Sequence, residues 1–212
     1  MLEAVFPHPT RIAAFLAASL VYALVPGPGV LYVVTRSFVA GPARGLASVA
    51  GLTLGNLVAV TATGLGVAAL LESFPAALLG LRLAGACYLL LLGVQTLARR
   101  PAAGALDQVP AAPDARRLFR DGMVVALLNP KTLLFVSAFL PQFLAPGDSY
   151  TQVLALGLML VCLGFCTDSS YALAAGFIGT RLSSGPGEAP WMRLASALVF
   201  FGLGLAALSG RL

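Results

Sequence analysis

The feature that most constrains this chain is a set of apolar runs about 20 residues long, because a stretch of that length crosses the bilayer's hydrocarbon core as a helix. Charges and turn residues bound six spans, at residues 12–35, 45–71, 76–98, 122–144, 151–180 and 191–210. Composition agrees: 59% of the 212 residues are hydrophobic and 10% are charged, against roughly 25% charged in soluble domains. Mean hydropathy is +0.93. A soluble globular fold is excluded, and an all-α, polytopic membrane protein of six transmembrane helices is expected. Residues 99–121 mix Pro, Ala and charge and read as a linker. They divide a single membrane domain over 1–212 into a first three-helix half, 12–98, and a second, 122–210.

Orientation follows from the basic residues. With both termini outside, the inward loops hold Arg36, Arg44, Arg99, Arg100, Arg116, Arg117, Arg120, Arg181 and Arg193, and the outward side holds Arg11, Arg82 and Arg211. That bias places the 99–121 linker in the cytoplasm, and the placement survives a five-span variant in which one segment lies in the interface. The pI of 9.6 therefore reflects membrane topology rather than nucleic-acid binding. The amino-terminal MLEAVFPHPTR lacks a basic leader region and the first apolar run continues past Pro28, so a cleaved signal peptide is not expected.

Two spans are interrupted. The first carries Pro26-Gly27-Pro28-Gly29, which cannot continue a helical ladder, and the freed backbone groups need protein, ions or water because lipid offers no hydrogen bonds. The fourth carries Asn129-Pro130-Lys131. Overlaying the fourth span on the first pairs Pro26 with Pro130, Leu24 with Leu128 and Leu31 with Phe135. Counting from Arg36 and Asp121 at 1.5 Å per residue puts both breaks about 15 Å from the cytoplasmic edge, at the midplane. Two antiparallel helices broken at one depth form the pattern of an inverted-repeat secondary transporter. The half-helices after Pro28 and Pro130 would aim their partly positive amino-terminal ends at the centre, where a carboxylate could be held.

Polar residues gather at that depth. Asn56, Tyr88 and Asp168 each lie 11 to 13 residues from a loop arginine. Asp168 is the acid set most firmly inside a span, where an ionisable group faces a cavity or a partner. Proton coupling and structural pairing with Lys131 are both open for it. Twelve of the 13 basic residues are Arg, yet the sole Lys sits in the broken helix, where a compact ammonium does what a guanidinium cannot. Gly51 and Gly55 form a GxxxG pair suited to close helix packing. Cys162 and Cys166 share a helix face as small apolar residues, and no disulfide framework is implied. With His8 as the single histidine, before the first span, no metal site is expected. No Walker loop or nucleophile elbow occurs, so neither enzyme chemistry nor ATP-driven transport is expected, and no cofactor.

Three blocks, VPGPGVLYVVTRSFVAGPARGLASVAGLTLGN, LRLAGACYLLLLGVQTL and FRDGMVVALLNPKTLLFVSAFLPQF, resemble the lysine exporter (LysE/RhtB) family of bacterial amino-acid and metabolite efflux proteins. The resemblance implies a multi-pass inner-membrane exporter of amino-acid-like solutes driven by the proton gradient. It implicates Pro26, Gly27, Pro28, Gly29, Asn56, Asn129, Pro130 and Lys131 in substrate binding or coupling. It extends to Pro141, Gln142 and Phe143 near the outer end of the fourth span, where a gate or a structural turn would fit. Asp168 and Tyr171 resemble a TD-x-x-Y element of part of the family.

The expected partners are a small-molecule substrate (an amino acid or analogue), protons and the lipid bilayer, with no nucleic acid. A homo-oligomer is compatible with the sequence. Few acids line the candidate cavity, which argues against a strongly cationic substrate. The competing readings are a passive small-solute channel, a membrane scaffold and a transmembrane thiol carrier. The last needs a reactive cysteine at each broken helix, and spans one and four contain none.

Overall fold

The computed structural model describes residues 8–64, 75–98, 114–143, 150–182 and 190–209. Among these residues the chain is all-helical, with no strand. Its eight α-helices are α1 (Pro9–Leu24), α2 (Pro28–Ala40), α3 (Pro42–Gly64), α4 (Pro75–Ala98), α5 (Ala115–Leu127), α6 (Pro130–Phe139), α7 (Tyr150–Leu182) and α8 (Pro190–Leu208), and a 3-10 turn, Leu140–Phe143, follows α6. Six of the eight start on a proline, whose fixed φ suits the first helical position and whose missing N–H has no helical partner there. Much of the proline content thus starts helices rather than kinking them.

Two of the helices, α3 and α7, are each long and apolar enough to span a bilayer, and α1 with α2 is so only as a pair, bent by 53° at the break between them, which is the shape of a broken span or of a re-entrant loop. Several expected boundaries move. Helix α5 begins at Ala115, so residues 115–121 of the supposed linker are helical. Residues 65–71 of the second span and 99–113 of the linker lie outside the described residues. Arg36 and Asp121, read as span edges because they are charged, are 7% and 3% exposed inside α2 and α5. Each is buried because partners meet it. Arg36 Nη1 donates to Thr96 Oγ1 at 3.4 Å and its guanidinium lies 4.8 Å from the Phe200 ring centre. Asp121 accepts from Tyr88 Oη at 3.1 Å and lies 3.7 Å from both Arg117 and Arg120.

Helix packing relies on small residues. A Cβ on Gly51 would collide with the Phe119 carbonyl, one on Gly55 would stand 2.6 Å from Ala126 Cβ, and one on Gly122 would stand 2.5 Å from the Ser48 carbonyl. The expected GxxxG contact is therefore real: it seats α3 on α5, backbone against backbone. Gly41, at φ 84°, makes the one-residue corner between α2 and α3, a conformation that favours glycine.

Two buried apolar clusters result. One, around Tyr32, Leu52, Leu92, Val125 and Phe200, joins α2, α3, α4, α5, α7 and α8. The other, around Phe15, Val60, Val136, Leu140 and Leu160, joins α1, α3, α6, the 3-10 turn and α7. Outward-facing positions are also apolar, including Leu158, Phe165, Phe177 and Ile178 along α7, as lipid contact requires and water does not. Cys87, Cys162 and Cys166 are free and exposed on these faces.

Candidate functional site

Both helix breaks open onto one cavity, of about 70 Å³ for the centres of water-sized molecules. At the first break, α1 ends at Leu24 and Val25 is extended, its N–H still bonded to Val21 O. Gly27 caps α2, and Pro28 opens it. At the second, Asn129 caps α6 by accepting from the Lys131 N–H at 3.1 Å, and Pro130 opens the helix. The structural equivalents are therefore Pro28 and Pro130, not Pro26 and Pro130 as the sequence overlay pairs them. Pro26 belongs to the gap itself and is exposed.

Of the residues expected at the site, Gly27, Gly29, Asn56, Asn129, Lys131 and Asp168 line the cavity. Asn129 and Asp168 are 7% and 6% exposed. Three further polar residues line it that sequence reasoning did not single out: Tyr22, Thr132 and Thr167. Thr132 Oγ1 lies 3.4 Å from Asn56 Oδ1 and 3.5 Å from Tyr22 Oη. The Tyr22 ring stacks on Phe135 with centroids 3.8 Å apart, which ties α1 to α6. Tyr88 is not part of this cluster. It bonds Asp121, which precedes Asn129 by eight residues, about 12 Å along a helix. Gln142 and Phe143 lie in the 3-10 turn away from the cavity lining. Phe143 packs edge-on against Phe15 at 5.3 Å, as a structural turn would.

The two prolines of the first break dictate part of the geometry. Pro26 lacks the N–H that would bond the carbonyl of Tyr22 four residues earlier, and Pro28 does the same to Leu24. Side chains supply the replacements. Lys131 Nζ donates to Tyr22 O at 3.4 Å and to Val25 O at 2.8 Å. Tyr171 Oη donates to Leu24 O at 3.1 Å. The PGPG, NPK and TD-x-x-Y elements, far apart in sequence, thus meet at one helix end. The Lys131 ammonium also lies 4.4 Å from the Tyr22 ring centre. Lys131 and Asp168 share the cavity, but among the described residues no ion pair within 4.0 Å joins them.

A cavity walled by two facing helix breaks, with one acid and one base inside an apolar shell, fits solute passage across a membrane. A family model for LysE type translocators matches residues 20–211. The chain belongs to the LysE type translocator family. This LysE family member is 32% identical over 201 residues to a homoserine/homoserine lactone efflux protein of Salmonella typhimurium, covering 93% of this chain and 96% of the relative. It is 36% identical over 170 residues to an uncharacterized membrane protein of Pseudomonas aeruginosa, covering 76% of each chain. A membrane protein of Vibrio cholerae is 28% identical over 193 residues, covering 91% of this chain and 93% of the relative. No solved structure matches the chain. As a LysE family translocator it is a membrane transporter and not an enzyme.

Proposed function

We propose that this translocator is a secondary active exporter of amino acids or related small metabolites across the bacterial inner membrane. It is coupled to protons and works by alternating access. The single observation that carries the reading is the cavity between the two helix breaks, where Lys131 and Asp168 line one small, largely apolar volume. The efflux relative supports a solute of homoserine's kind. The organisation we propose is six spans in two inverted three-helix halves, with α1–α2 and α5–α6 as the broken helices, both termini outside and residues 99–121 inside. In this scheme Asn56, Asn129 and Thr132 offer hydrogen bonds to the solute. Gly27, Gly29 and the prolines Pro26, Pro28 and Pro130 shape the breaks, and Tyr171 holds the first of them.

Asp168 carries the coupling proton or meets the solute's amino group. Among the described residues no ion pair within 4.0 Å reaches this buried carboxylate, so either event stabilises it. Alternating access would then follow from rocking the halves about the breaks.

A toxicity screen tests the substrate class. Cells expressing the protein are challenged in turn with homoserine, other amino acids and their analogues. Raised resistance to homoserine or a close relative, lost in Asp168→Asn, is the expected result. Equal sensitivity to every solute in cells with and without the protein would overturn the reading.

A further inference from the structure

Lys131 is a cation bonded to carbonyls rather than to an acid. Its ammonium takes the carbonyl of Tyr22, orphaned by Pro26, and that of Val25 in the gap, and faces the Tyr22 ring. These groups form the carboxy-terminal end of α1, where unpaired carbonyls carry partial negative charge and attract cations. The ring adds a cation–π face. The stem is fitted as closely: a Cβ on Gly27 would stand 3.0 Å from Lys131 Cδ, so the space beside this glycine is the channel through which the side chain reaches α1. The cradle belongs to α1 and the cation to α6.

The geometry points to a primary-ammonium site in its own right at the end of α1, filled from within by Lys131, which bridges the two breaks without a direct ion pair to Asp168 among the described residues and so leaves that carboxylate's oxygens to the solute or its proton. The site is a property of the fold. Its contribution to transport rests on the exporter reading above. Two consequences separate this role from neutralisation of Asp168. Truncating Lys131 removes an n-propylammonium-sized fragment, so the free ion should bind in its place. Removing the Asp168 charge at the same time should leave that binding in place.

The test uses purified full-length protein with n-propylammonium chloride as the probe and tetramethylammonium chloride, which has no N–H to donate, as the control. In Lys131→Ala, n-propylammonium should raise the melting temperature, as a ligand of the native state does, while tetramethylammonium should not, and neither should stabilise the wild type. In proteoliposomes with amine and pH equal on both sides, Lys131→Ala should lose homoserine exchange. n-Propylammonium should restore it by about tenfold or more, the worth of one hydrogen bond from a charged donor. In Lys131→Ala with Asp168→Asn the stabilisation by n-propylammonium should persist, because the cradle is made by Tyr22 and Val25 and not by Asp168.

No stabilisation of Lys131→Ala by n-propylammonium, equal stabilisation by tetramethylammonium, or loss of the n-propylammonium stabilisation in the double variant would each overturn the site. If Lys131→Ala does not fold, Tyr22 decides: Tyr22→Phe keeps the ring and should exchange like wild type, Tyr22→Leu should not, and equal activity of the two would refute the cradle. Absence of homoserine exchange in the wild type would instead count against the exporter reading, and the melting measurement would still decide the site.

Discussion

Replacing Gly51 by Ala probes the contact that sets the two breaks relative to each other, because α3 carries Asn56 and α5 leads directly into Asn129 and Lys131. The new Cβ would run into the Phe119 carbonyl. That obstacle is helix backbone, which cannot rotate aside as a side chain would, so α3 and α5 must separate along a contact that also includes Gly55 and Gly122. Overpacking of this kind costs about 3 kcal/mol at the upper end of its usual range, and the better helix propensity of Ala returns about 1 kcal/mol, leaving a net loss of about 2 kcal/mol. Gly80→Ala is the control, since among the described residues nothing lies within 4 Å of a Cβ there, and it should gain about 1 kcal/mol from propensity alone. The difference of about 3 kcal/mol corresponds to melting temperatures about 6–12 °C apart in a chain of this size. Size-exclusion elution of detergent-purified protein after heating reads this directly. Equal melting temperatures for the two variants would refute the backbone-to-backbone seat of α3 on α5.

Tyr88→Phe removes a hydrogen bond to the buried Asp121 carboxylate and should cost about 1.5–3 kcal/mol, whereas Tyr32→Phe removes one to the neutral Leu118 carbonyl and should cost about 1 kcal/mol. Reversal of that order by the same elution assay would contradict the placement of Asp121 inside the helix bundle. A cysteine placed at Ala103 should resist an impermeant thiol reagent added outside intact cells and react once the cells are opened, because five arginines bias the 99–121 segment inward. Labelling from outside would reverse the topology.

The breaks were legible in the sequence because Pro and Gly act locally: Pro26 and Pro28 delete two helical donors whatever surrounds them. Which groups would replace those donors was not legible, since Lys131 and Tyr171 arrive from helices more than 100 residues away. Asp168 and Asn56 could be placed by depth counting because they stand on regular helices. The same counting put Tyr88 with them, and there it failed, because depth says nothing about which way a side chain turns. Arg36 and Asp121 misled for a related reason. Charge usually marks the end of a span, but a guanidinium on Phe200 and a carboxylate beside Tyr88 and two arginines are buried inside the helix bundle. Tyr22 carried no local signal at all, because its stacking on Phe135 and its contact with Lys131 exist only once α1 and α6 meet. The overlay of Pro26 on Pro130 matched letters and not roles, since Pro28 and Pro130 are the residues that open helices.

The most direct measurement is homoserine accumulation by inside-out vesicles, whose interior corresponds to the cell exterior, carrying an imposed proton gradient with the interior acidic. The account predicts accumulation above the external concentration in vesicles with wild-type protein, collapse to equilibration on adding an uncoupler, and no accumulation with Asp168→Asn at equal protein level. Accumulation that persists with the uncoupler or in Asp168→Asn would contradict proton-coupled export through this cavity.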